Sequence, residues 1–233
     1  MKDRKSFLIA TLLVFSILAV AYFIRTDILR TFLPAAVVKY RIIGPLATLT
    51  LAGALCLPWQ MTLAMAFSLT GDFMGAYGRF IGQMGFFALA HIMLITYFAG
   101  RLRPMRQDMN GRQDASSSRK NGKYAAADVI IAAALLVFAL ISIVPHAPAG
   151  VIRTGCAIYA VLICSMFCLA MIQHELLFAA GAALFIFSDM ILSWNKFVCP
   201  VAASNWLIMV PYYAGQLLIW CGAFRKSRIT TCR

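Results

Sequence analysis

Apolar residues along this chain neither alternate with polar ones nor recur at helical spacing; they run on. Such runs lie near residues 7–24, 36–57, 59–77, 80–99, 125–145, 150–171, 174–194 and 203–224. Each is close to the ~20 residues that carry a helix across a bilayer. A transmembrane barrel would need short alternating segments, which are missing here. The pattern predicts an all-α fold, a polytopic transmembrane bundle of about eight helices. Most connections are short, so residues 1–233 are expected to form a single transmembrane helical domain. The longest connection, residues 101–123, contains "NGRQDASSSRKNGK". Its Gly, Ser and charge content reads as a flexible basic loop.

Composition turns this pattern into a statement about solvent. The chain is 62% hydrophobic and 12% charged, against about 45–50% and 25% in soluble domains. Lipid is therefore its main surroundings, and an integral membrane protein is expected, in the inner membrane if the cell is bacterial.

The net charge of +13 is unevenly placed. Basic residues crowd the N-terminal "MKDRK", the 101–123 segment and the C-terminal "FRKSRITTCR". With eight spans these fall on one side, which the positive-inside rule makes the cytoplasm. They are also placed to touch anionic lipid head groups. Membrane edges account for these cations, so nucleic acid is not expected as a partner. Arg25, Arg30, Lys39 and Arg41 break the rule, because they flank a connection expected outside. "AVA" at Ala19 to Ala21 resembles a signal-peptide cleavage site, but the apolar run is long for a signal core and is read as a retained helix.

The seven cysteines form no CxxC pair and read as small packing residues. The three histidines, His91, His146 and His174, are scattered. No metal site is expected.

Two stretches need a different explanation. "FSLTGDFMGAYGRF" puts Asp72 in an apolar run, and "GAALFIFSDMILSW" does the same with Asp189. A charge at the bilayer centre costs roughly 2.5–3.5 kcal/mol on the insertion scale, so such acids face the bundle interior, pair, or line a wet cavity. Asp72 lies in the last third of the third span and Asp189 in the last third of the seventh. Both spans run in the same direction, so the acids are expected at similar depth, where a shared proton would make them titrate as a unit. Ser68, Ser188, His91, Tyr212, Tyr213 and Gln216 are expected at that level, with Lys39 and Arg41 at the mouth. This reads as a lipid pocket with carboxyls deep and cations for a phosphate outside. Other readings stand beside it. A lone buried Asp often bonds only to its own helix, Tyr212 and Tyr213 fit an interfacial belt, and Ser68 and Ser188 fit helix packing.

"FSLTGDFM", "GAALFIFSDMILSWNKF", "GQMGFFALAHIMLITYF" and "VPYYAGQLLIWCG", in that order, resemble the YhhN-like lysoplasmalogenase family of multi-helix membrane proteins. The resemblance runs from Lys39 to about Gly222. It implies a membrane hydrolase that cleaves the vinyl ether of lysoplasmalogen to a fatty aldehyde and glycerophosphoethanolamine or glycerophosphocholine. It implies Asp72 and Asp189 as the catalytic pair and Lys39 as the basic residue opening the second helix. The family often has Lys-Pro where this chain has Lys39-Tyr40, and often a tyrosine where it has Leu94. The implied chemistry needs one carboxyl as acid and one as base, with no cofactor; glycoside hydrolysis uses two carboxyls in a related way.

Two other classes compete. A metal-dependent intramembrane amide hydrolase would need a histidine-rich ligand set. A non-enzymatic lipid or proton transporter would use the aspartates as a relay.

Overall fold

The computed structural model describes the backbone of residues 2–111 and 115–230, and side chains within 4–26, 28–102 and 125–227. The described chain is helical: α1 (Lys2–Phe23), α2 (Thr26–Phe32), α3 (Ala35–Tyr40), α4 (Ile43–Cys56), α5 (Trp59–Ala76), α6 (Phe80–Gly111), α7 (Ala115–Ser142), α8 (Val151–Ile172), α9 (Leu176–Phe197) and α10 (Ser204–Thr230). A 3-10 turn at Val144–His146 follows α7.

Among the described residues, α1, α6, α7, α8, α9 and α10 are long and apolar enough to cross a membrane. The chain is a multi-pass integral membrane protein. The second predicted span is not one regular helix, because its hydrogen-bond ladder is interrupted at Arg41 and Ile42, which keep helical dihedrals, and it divides into α3 and α4. Pro45 has no N–H to give the Arg41 carbonyl, and its ring clashes with that carbonyl in a continuous helix. The 14 residues of α4 rise only about 21 Å. α5 is long enough at 18 residues, but Gln60, Thr62, Ser68, Thr70 and Asp72 dilute its apolar character.

The expected loop at 101–123 is also different. α6 continues to Gly111 and α7 begins at Ala115. Arg, Lys, Gln, Met and Ala are all good helix formers, and this outweighs the scattered Gly and Asn. The side chains at 103–123 and 228–233, whose charges were used for topology, lie outside the described residues, as does Cys232.

The chain divides into two compact units, 1–90 with 226–233, and 91–225. In the first, α4 packs on both α1 and α5, and α3 packs on α5. Leu46, Leu49, Met61, Ala64 and Met65 form a core with almost no exposure. The α5–α6 turn is a Schellman cap. Arg79 N–H donates to the Met74 carbonyl and Gly78 N–H to that of Gly75, both at 2.9 Å. Gly78 takes φ +71° there, a conformation that costs glycine little. Arg4 donates to the Ser227 hydroxyl at 2.8 Å, so the start of α1 and the last turns of α10 meet.

In the second unit, α8 packs on α7 and on α9. The Gln173 amide donates to the Phe98 carbonyl at 3.0 Å. Arg153 grips the Ala147 carbonyl through Nε and Nη2 at 3.0 and 2.9 Å. α9 and α10 approach backbone to backbone, and a Cβ built on Gly215 would lie 2.8 Å from the Gly181 carbonyl oxygen. Small residues permit such contacts in membranes, where dispersion and close approach replace hydrophobic drive.

Both units reverse the soluble pattern. Ile17, Val20, Leu51, Leu55, Ile130, Ile141 and Leu176 are exposed, whereas Ser68, Asp72, His91, Ser188, Asp189 and Gln216 are buried. Lipid is the favourable solvent for the first group and an expensive one for the second.

Candidate active site

Asp189 lies eight residues after Gly181 on α9, so the tight α9–α10 contact fixes the helix that carries it. It is 8% exposed. Its Oδ2 accepts a hydrogen bond from the hydroxyl of Tyr159 on α8. His91 of α6 completes a chain, with Nε2 3.0 Å from the Tyr159 oxygen and 4.0 Å from Asp189 Oδ2.

These contacts locate the protons. A phenol has one proton, and Tyr159 uses it to donate a hydrogen bond to Asp189. The tyrosine oxygen can then only accept, so His91 must carry a proton on Nε2 and donate. The other ring nitrogen, Nδ1, is buried without a hydrogen-bond partner. The His91 ring meets Phe185 edge-on at 4.9 Å, and Phe185 meets Tyr212 at 5.5 Å. The polar chain is therefore walled by aromatic rings.

Ser188 is buried, and its hydroxyl donates to the Ile208 carbonyl on α10 at 2.8 Å. Pro211 lies inside α10, in the turn after Ile208, where its missing N–H leaves the Leu207 carbonyl without a helical donor. Ser188 thus joins helices, and its proton is not available to a ligand. Tyr212, Tyr213 and Gln216 are all buried on α10.

Lys39, Arg41, Ser68 and Asp72 belong to the other unit. Asp72 is 3% exposed, and Ser68 is buried one turn earlier on α5. The Arg41 guanidinium lies 5.5 Å over the Tyr22 ring. Its Nη2 donates to Thr26 Oγ1 at 3.3 Å, and its Nη1 is buried without a hydrogen-bond partner. Tyr22 lies within electrostatic reach of both Arg41 and Asp72. Lys39 is exposed and sits over the rings of Tyr40 and Tyr77.

The sequence reading missed Tyr159. Its signal was a phenol in the middle of an apolar span rather than at either interface, since a mid-membrane hydroxyl needs a partner. The reading also passed over Asp128, near the start of the α7 span, which is 9% exposed and has an unpartnered Oδ2. Among the described residues, no three His, Cys, Asp or Glu side chains cluster as metal ligands.

Comparison with known proteins gives a family. The sequence model of the YhhN family matches residues 35–223. A lysoplasmalogenase, TMEM86B of Rattus norvegicus, is 43% identical over 51 residues, 22% of each chain. TMEM86B of Homo sapiens, also a lysoplasmalogenase, is 47% identical over 46 residues, 20% of each chain. The match thus spans about a fifth of the length of these curated relatives. No solved structure matches the chain.

Proposed function

The chain belongs to the YhhN family, and on that premise we propose that it hydrolyses the vinyl ether bond of lysoplasmalogen within the membrane. The observation that carries the reading is the buried carboxyl of Asp189, held by Tyr159 and His91 inside apolar spans. The two lysoplasmalogenases similar to part of the chain support the choice of substrate.

Hydrolysis begins by protonating the outer alkene carbon, which moves the double-bond electrons and leaves an oxocarbenium ion. Water adds to the cationic carbon and loses a proton. The hemiacetal then collapses to a fatty aldehyde and the free glycerol hydroxyl. One carboxyl must give a proton, and one must stabilise the cation and receive the proton from water.

Asp189 fits the accepting role. Its Oδ2 already accepts a hydrogen bond from Tyr159, so that oxygen is an acceptor and Oδ1 is left for chemistry. The donor role then goes to Asp72. Tyr159 orients Asp189, and His91 orients Tyr159. Ser68, Tyr212, Tyr213 and Gln216 supply polar groups for water and glycerol hydroxyls. Lys39 and Arg41 bind the phosphodiester, which gives cations at an outer-side connection a purpose. The scheme calls for no metal or organic cofactor.

The test is aldehyde release from lysoplasmalogen by the purified protein in detergent, for wild type, Asp72→Asn and Asp189→Asn, with and without a chelator. Aldehyde from wild type alone, unaffected by chelator, is expected. Folded wild type that releases none would move lipid or proton transport to the front. Loss of activity on chelation would favour a metal hydrolase.

A further inference from the structure

The first unit holds an aromatic cluster already occupied by a cation. The Lys39 ammonium lies 4.9 Å from the Tyr77 ring centroid and 5.3 Å from that of Tyr40. Tyr40 stacks on Phe73 at 5.5 Å and 26°. Tyr77 meets Tyr40 at 5.5 Å and Phe73 at 5.0 Å. The cluster is open, with Tyr77 52% and Phe73 36% exposed.

Its neighbours share one logic. Phe73 directly follows Asp72, and Arg41 directly follows Tyr40. The buried Arg41 Nη1 lacks an acceptor, and a guanidinium matches phosphate oxygens. Carboxyl, guanidinium and ring cluster are the kinds of group that the vinyl ether, phosphate and amine of a lysolipid call for.

We infer that the Tyr40–Phe73–Tyr77 cluster binds the head-group ammonium of the lysolipid and prefers a quaternary ammonium, so that choline lysolipids are favoured over ethanolamine ones. The inference rests on the lysolipid reading above and deepens it. The physical reason is an exchange. Lys39 holds the ring faces with a primary ammonium on a flexible stem. An ethanolamine head group would replace one primary ammonium by another, with no gain. A trimethylammonium is weakly hydrated and donates no hydrogen bonds, so ring faces suit it better than they suit either. Lys39, once displaced, is free to join Arg41 on the phosphate.

The test is binding of saturated-ether lysolipids, which lack the vinyl ether and are not cleaved, to the full chain in maltoside detergent. Choline and ethanolamine head groups are compared by titration. The choline analogue is expected to bind about fivefold tighter. Tyr77→Leu is expected to abolish the difference and Tyr77→Phe, which keeps the ring, to retain it. Equal binding by wild type, or a preference that survives Tyr77→Leu, would overturn the inference. Aldehyde release from vinyl ether substrates is measured on the same preparations. Choline-selective binding without aldehyde would sink the hydrolase and leave the head-group site standing. Aldehyde without head-group preference would sink the head-group site alone.

Discussion

The hydroxyl of Tyr159, on α8, donates its single hydrogen bond to Oδ2 of Asp189, on α9. Because that proton is committed, His91 Nε2 must donate to the tyrosine oxygen. The two contacts together make His91 Nε2 a donor, commit one oxygen of the carboxyl as an acceptor, and tie three helices together.

Tyr159→Phe removes the donor and keeps the ring. A hydrogen bond to a carboxylate contributes about 1.5–3 kcal/mol. The variant is expected to lose roughly ten- to a hundredfold in kcat, with KM within about twofold. A purely structural tyrosine would lower the melting temperature and leave kcat per folded molecule unchanged. Steady-state aldehyde kinetics beside a thermal melt separate the two.

Arg41→Lys keeps the charge but loses the planar face over Tyr22 and the second donor of the fork. KM for lysoplasmalogen is expected to rise about tenfold with little change in kcat, the signature of lost uniform binding. A drop in kcat at constant KM would remove Arg41 from head-group binding.

Gly215→Ala tests the helix contact behind Asp189. The added Cβ would fall 2.8 Å from the Gly181 carbonyl oxygen, too close without moving α9 from α10. A loss of about 1–3 kcal/mol is expected, seen as a lower melting temperature, with activity lost alongside as the Asp189 helix shifts. An unchanged melt would mean that α9 and α10 do not pack in this register.

Asp128→Asn tests the carboxyl that the proposed chemistry leaves unused. Its Oδ2 is buried and has no hydrogen-bond partner, and a neutral amide costs less to hold there than a charge would. A higher melting temperature and unchanged aldehyde release are expected. Loss of activity in a folded variant would bring Asp128 into the mechanism.

The sequence by itself determined the helical, membrane-embedded class, because continuous apolar runs of bilayer length leave a chain few other ways to satisfy its backbone. It also marked Asp72 and Asp189, because a carboxyl in an apolar span is costly enough to need a reason. Helix continuity was less legible. Pro45 broke the second span, and good helix formers carried α6 and α7 into a stretch whose Gly and Ser read as loop. These outcomes depend on competition between local propensities, which hydropathy alone does not weigh. Only the tertiary structure decided which polar groups meet. Tyr159 and Asp189 are thirty positions apart and His91 and Tyr159 are sixty-eight. No periodicity relates them, because their encounter depends on how α6, α8 and α9 are rotated against one another. Side-chain volume sets such rotations, and for α9 against α10 two glycines let the backbones touch.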